Sequence, residues 1–219
     1  MAYVPDIIPA EERARYAKGN MGKRVGFGAR PAVLVVDMTR AFTEDRFPLG
    51  CTAAGVPCAA AIRTLLDAAR PHGVPVLYTR YEAFAADAEW GRWLDKGTGA
   101  EPASLMRGPE AHEITDAVKP APGDVVVTKS KPSAFFGTPL ASMLTYLGID
   151  TLFVTGMVTS GCVRATVIDA FSHNYRVIVP LECVADRSPT SHQVNLFDID
   201  MKYADVLPLA DVLAHLGRR

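Results

Sequence analysis

The sequence predicts an α/β fold, a mainly parallel sheet with helices on both faces, in one domain spanning residues 1–219. Two observations carry that expectation. Short apolar runs rich in β-branched residues, such as 32–36 (AVLVV), 151–155 (TLFVT) and 176–180 (RVIVP), have the character of strands covered on both faces. Between them lie stretches whose apolar residues recur at three- and four-residue spacing, and strands alternating with helices of that length build a parallel sheet. With 219 residues and 49% apolar content, the chain has ample material for one large core.

Residues 1–30 mix charges with the turn formers Gly19, Asn20 and Gly22, which suggests a short helix and then an arm lying on the body, within reach of a neighbouring subunit. The strand over 32–36 delivers Asp37 to its carboxyl end, ahead of a loop. Ile62, Leu65, Leu66 and Ala69 mark a helix over 57–70, which Pro71, His72 and Gly73 stop before a strand over 76–79. Residues 80–123 lose the period and hold Trp90, Trp93 and four prolines; so long a segment is an insertion or a lid rather than a connector. A third strand, 125–128, ends at Lys129. The run FGTPL opens a helix over 137–147, with Thr138 as N-cap, Pro139 in the first helical position and Gly148 closing it. The strand over 151–155 leads through Gly156 and Gly161 into a helix that begins near Cys162 and is marked by Val163, Val167, Ala170 and Phe171. A strand over 176–180, a helix over 190–203, a short strand over 205–207 and a terminal helix over 209–216 complete the pattern.

A formal net charge of −1 and the lack of long basic runs argue against nucleic acid or an anionic membrane as partner, and leave a small-molecule substrate. No apolar run approaches the roughly 18 residues of a membrane helix, and the first residues do not read as a leader, so the expected location is the cytoplasm. Cys51, Cys58, Cys162 and Cys183 form no C-x-x-C pair and are expected to be reduced.

In a parallel sheet, ligands bind where loops leave the carboxyl ends of the strands. Asp37, Lys129 and Cys162 all fall at such ends. A carboxylate can take a thiol's proton, a nearby ammonium favours negative charge on sulfur, and a helix entry also favours the thiolate. Peptide N–H groups in the turn 157–162 are placed to face an oxyanion. Phe42, Phe135, Trp90 and Trp93 are candidates for a pocket wall, and Thr159 for a substrate contact within the turn. The run GFG at 26–28 lacks the third glycine and following helix of a dinucleotide site.

Three motifs in order, Asp37 after the first strand, K-x-x-x-S-A-F (129–135) and T-G-x-x-T-S-G-C-V (155–163), resemble the isochorismatase-like cysteine hydrolases. The runs at 26–43, 133–140 and 185–206 are most similar to the branch acting on N-carbamoylsarcosine and maleamate. The resemblance implies a six-stranded α/β/α sandwich, a homodimer or homotetramer, and a catalytic set of Asp37, Lys129 and Cys162. It also implies a cis peptide between Met157 and Val158, an oxyanion hole of the Val158 and Cys162 N–H groups, and a substrate carboxylate held by Arg187. A guanidinium suits that task, gripping a carboxylate through two parallel hydrogen bonds. Nicotinamidases of the same family carry a D-x-H metal motif that this chain lacks, so neither metal nor other cofactor is expected. The reaction so implied is hydrolysis of a small linear amide or carbamoyl group with release of ammonia; a vinyl-ether hydrolase and a non-catalytic binding subunit are the rival readings.

Overall fold

A computed structural model describes residues 3–81, 87–93, 95–96 and 108–218. Strands β1 (Pro31–Val36) and β4 (Thr151–Met157) are buried along their whole length, as a central position in a sheet covered on both faces requires. They pair in parallel with each other, and β1 pairs on its other side with β2 (Val76–Arg80), which pairs with β3 (Val125–Thr128). Beyond β4 come β5 (Arg176–Pro180) and, outermost, β7 (Asp205–Leu207), giving the order β3-β2-β1-β4-β5-β7. These are the six strands expected. A seventh, β6 (Val184–Ala185), pairs with the last residues of β4. Two residues are too few for a periodic signal, which is why β6 was not anticipated.

The chain leaves β1 in one direction across the sheet and β4 in the other, so right-handed crossovers place their helices on opposite faces. Helix α1 (Ala10–Lys18) precedes the sheet, and the one-turn α2 (Arg40–Thr43) forms within the stretch expected as loop. Helix α3 (Thr52–Ala69) starts five residues before the expected boundary. The reason is a reciprocal cap: Asp45 Oδ1 accepts from Thr52 N and Thr52 Oγ1 accepts from Asp45 N, at 2.8 and 3.0 Å. Pro57 lies inside this helix. After α4 (Asp87–Trp90) and β3, helix α5 (Leu140–Tyr146) begins later than expected, with Thr138 Oγ1 accepting from Leu140 N at 3.2 Å. Helices α6 (Arg164–Ser172), α7 (Pro189–Lys202) and α8 (Leu209–Leu216) follow; α3 packs with α8, and α6 with α7.

β4 runs two residues past the expected end. It does so through Gly156, whose φ is +109° and whose missing Cβ would meet Val36 O at 1.9 Å. Only glycine permits this approach of β4 to β1.

The N-terminal arm is strapped to the body by carboxylates. Asp150 accepts from Ala29 N and Arg30 N, and Asp205 from Val25 N and Gly26 N. Buried Asp200 accepts from Tyr3 N and Val206 N, each at 2.7 Å, and pairs with Arg24. Replacing Asp200 by Ala leaves the buried Val206 N–H and the half-buried Tyr3 N–H without that acceptor, so Asp200→Ala is expected to lower unfolding stability by about 2 kcal/mol. Urea denaturation checks this, and a loss below about 0.5 kcal/mol, the scale of an ordinary surface change, would contradict it.

Candidate active site

The strand order reverses between β1 and β4, which makes the crevice at their carboxyl ends the expected ligand site. Asp37 follows β1 directly and turns the chain with a φ of +48°, a left-handed conformation that Asp tolerates. Cys162 follows β4 by a short turn, and Lys129 follows β3. The structure brings the three together. Lys129 Nζ lies 2.7 Å from Asp37 Oδ2, with both side chains fully buried, and 3.6 Å from Cys162 Sγ.

Each charge has further support. Thr79 Oγ1 donates to Asp37 Oδ1 at 2.8 Å, and Lys129 Nζ donates to Lys131 O at 3.0 Å. The 2.7 Å contact at Oδ2 is one of charge, since that oxygen accepts no aligned hydrogen bond from the described residues. Tyr81, at the end of β2, places its ring centroid 3.9 Å from Lys129 Nζ and its hydroxyl 3.8 Å from Cys162 Sγ.

The thiol differs from the sequence expectation. Burial, and next the negative charge of Asp37, push the Cys162 pKa up to about 12, against a smaller lowering by Lys129. The helix entry does not produce a resting thiolate. The arrangement is instead a buried thiol beside the paired side chains of Asp37 and Lys129.

The turn that carries Cys162 runs from Val158 through Thr159–Val163 and leaves helical geometry at Gly161, and the peptide bond between Met157 and Val158 is cis. Two side chains behind the turn hold it. Asp186 Oδ2 accepts from Ser160 N at 2.8 Å and Ser160 Oγ at 2.6 Å, and Thr159 Oγ1 is 2.8 Å from His192 Nδ1. Burial lowers the His192 pKa, which favours the neutral ring.

Above the sulfur lies a cavity of about 230 Å³ lined by Ala41, Phe42, Leu49, Tyr81, Trp90, Trp93, His112, Val158, Ser160, Gly161, Cys162 and Arg187. The wall is mainly apolar, with Arg187 its one guanidinium among the described residues. Of the expected substrate and oxyanion residues, Phe42, Val158 and Arg187 line this cavity. Phe135 and Thr159 do not. Phe135 stacks on His173 at 5.1 Å, away from the cavity, and Thr159 is fully buried with its hydroxyl turned to His192. Both are packing residues of the loops that hold Lys129 and Cys162.

Ser133, at the centre of the K-x-x-x-S-A-F motif, hydrogen-bonds Asp169 on α6, while Ala134 N donates to Thr166 Oγ1 on the same helix. That motif therefore ties the lysine's loop to the helix behind the cysteine. Trp90, Trp93 and His112 come from the expected insertion or lid at 80–123; residues 82–86, 94 and 97–107 of it lie outside the described residues. Its described part is fastened to α2 by Arg40, which pairs with Glu110, Glu113 and Asp116.

Several site residues escaped the sequence reading. Tyr81 had a usable signal, since it follows a strand end as Asp37 and Lys129 do; His112 and the support His192 had none beyond residue type. Among the described residues no three His, Cys, Asp or Glu side chains gather as a metal set. No helix of the described residues is long and apolar enough to cross a membrane.

Fold and site together define a parallel α/β protein with a buried carboxylate, ammonium and thiol at the topological switch point. The chain belongs to the isochorismatase family: residues 31–211 match the Isochorismatase domain. It is 40% identical to maleamate amidohydrolase of Pseudomonas putida over 91% of this chain and 92% of the relative. It is 38% identical to N-carbamoylsarcosine amidase of Arthrobacter sp over 92% and 76%. Among solved structures it superimposes on a cysteine hydrolase from Pseudomonas syringae pv. phaseolicola with a TM-score of 0.82 at 28% identity, covering 90% of this chain and 98% of that one.

The electrostatics set a sign that alkylation can read. Asp37 raises the thiol's pKa and Lys129 lowers it, so Asp37→Asn should move the pKa down and bring more thiolate to neutral pH. Iodoacetamide should then modify Cys162 about tenfold faster or more at pH 7.5 in Asp37→Asn than in the wild type. The wild-type rate should climb through pH 10 without a plateau. A wild-type plateau below pH 8 would show a resting thiolate.

Proposed function

We propose that this chain is a cysteine-dependent amidohydrolase that cleaves a small linear amide or N-carbamoyl compound bearing a carboxylate, and releases ammonia through a thioester. The observation that carries the reading is the contact of Lys129 with both Asp37 and Cys162 at the floor of an apolar cavity whose wall includes Arg187.

In this reading Asp37 takes the thiol proton as the sulfur attacks the carbonyl carbon. Lys129 offsets the charge that builds on sulfur and carboxylate, and the N–H groups of Val158 and Cys162 serve the tetrahedral oxyanion. Asp37, now protonated, gives its proton to the departing nitrogen, so ammonia leaves and the acyl group stays on sulfur. Water then enters, Asp37 takes one of its protons, and collapse of the second tetrahedral species returns the thiol. No step draws on a cofactor.

Support for the substrate class comes from relatives. Maleamate, N-carbamoylsarcosine and ureidoacrylate, after which similar proteins are named, share a terminal H₂N–C(=O)– group and a carboxylate a few bonds away. One guanidinium in the wall of the cavity that holds the thiol suits that pattern. We favour an N-carbamoylsarcosine-like substrate, with maleamate as the alternative. The vinyl-ether reaction needs no thiol, and the contact of Lys129 with Cys162 favours the amide reading over it. The proposal includes a cytoplasmic homodimer or homotetramer; the exposed rings of Phe136, Tyr146 and Phe171 offer apolar surface for self-association.

A panel of N-carbamoyl amino acids, maleamate and nicotinamide, assayed for ammonia, tests the reading. Wild type is expected to act on one or more of the linear carboxylates, and Cys162→Ala to lose about 10³-fold or more. Equal rates in the two proteins would sink the mechanism. Arg187→Ala should lower kcat/KM about 10- to 100-fold for carboxylate substrates, as loss of a charged hydrogen bond does, and leave neutral amides nearly unchanged. Unaltered kinetics on every substrate would remove Arg187 from the site.

A further inference from the structure

β2 lies between β1 and β3, so Lys129 must pass over the end of β2 to reach Asp37, across two inter-strand spacings of about 4.8 Å each. What it passes over is Tyr81, whose ring centroid is 3.9 Å from Nζ. An aromatic face attracts a cation through its quadrupole, so the ring replaces part of the hydration that the buried ammonium has lost. The same side chain continues to the nucleophile, with its hydroxyl 3.8 Å from Cys162 Sγ. We propose that Tyr81 is a further catalytic residue, whose ring seats the Lys129 ammonium and whose hydroxyl donates a hydrogen bond to the Cys162 sulfur as that sulfur becomes negative.

A second partner sets the direction of that bond. The Trp93 side chain hydrogen-bonds Tyr81, and an indole N–H can only donate. It occupies an acceptor site on the phenol oxygen and leaves the phenol proton for the sulfur. Trp93 is thus a positioning residue. Tyr81 keeps its proton, because burial and the nearby charges of Cys162 and Asp37 hold its pKa well above the ordinary value. It therefore does not compete with Asp37 as base. The thiol proton goes to Asp37, the phenol proton stays on its oxygen, and no covalent bond changes at Tyr81.

The contact is long for a neutral thiol. Hydrogen bonds to charged acceptors are shorter and about twice as strong, so this one gains strength as charge develops and favours the transition state over the resting site. The ring is fixed for the purpose: it is buried and lies parallel to Trp90, with centroids 6.3 Å apart.

The proposal deepens the amidohydrolase reading and rests on it for turnover, but one arm of its test needs no substrate. Tyr81→Phe keeps the ring and deletes the hydroxyl. Its kcat is expected to fall about 10- to 100-fold, the effect of one hydrogen bond to a charged group, with KM within about twofold. Alkylation of Cys162 by iodoacetamide at pH 9, with no substrate present, should slow about tenfold. Trp93→Phe, which frees the hydroxyl to turn, should slow alkylation about threefold. An unchanged alkylation rate in Tyr81→Phe, or in Trp93→Phe should Tyr81→Phe not fold, overturns the proposal. Absence of ammonia from every substrate with wild-type protein would instead overturn the amidohydrolase reading and leave the alkylation comparison to judge Tyr81.

Discussion

The buried ion pair of Asp37 and Lys129 is the constraint on which the rest of the site depends. Removing two charges from water costs several kcal/mol for each ion, and attraction between them offsets this only when other polar groups complete their shells. The sheet supplies those groups. Thr79 and Tyr81 flank the pair from β2, and the carbonyl of Lys131 accepts from the ammonium on its far side. Because the two residues leave β1 and β3, with β2 between them, the pair also spans three adjacent strands at their carboxyl ends. A shift in register at any one of these strands would break it.

A thiol beside this pair has unusual chemistry. Its proton is held more firmly than in water, since burial and the carboxylate both oppose the thiolate. In the proposed reaction the same carboxylate is the acceptor for that proton. The sulfur there becomes charged only as it attacks, with the Lys129 ammonium 3.6 Å away to share the charge. The turn bearing the thiol is fixed from behind by Asp186 and His192, so the cavity is bounded by a backbone that does not rely on substrate for its shape.

Much of this was legible in the sequence, and the reasons differ by residue. Asp37 and Lys129 were visible because each directly follows an apolar β-branched run, and strand ends in a parallel sheet converge. Cys162 was visible through the strand, glycine and helix around it. The six main strands followed from the same runs, whereas β6 is too short to leave a pattern. Phe135 and Thr159 were misplaced for a common reason: sequence gives an aromatic ring or a hydroxyl no direction, and both turned toward His side chains within the scaffold. Tyr81 was passed over because the aperiodic segment seemed to begin at residue 80, although the strand-end rule applies to it as well. The thiol's raised pKa was beyond reach, since it depends on burial and on the distance to a carboxylate 125 positions earlier in the chain.

The most direct test of the account is to look for the covalent intermediate. Wild-type protein mixed with a turned-over amide and quenched in acid within milliseconds should carry, on the peptide containing Cys162, the mass of the substrate less ammonia. Added hydroxylamine should discharge that adduct as the hydroxamate from an amide, or as the N-hydroxyurea from an N-carbamoyl compound. Steady release of ammonia with no adduct at Cys162 and no hydroxylamine product would contradict nucleophilic attack by this sulfur.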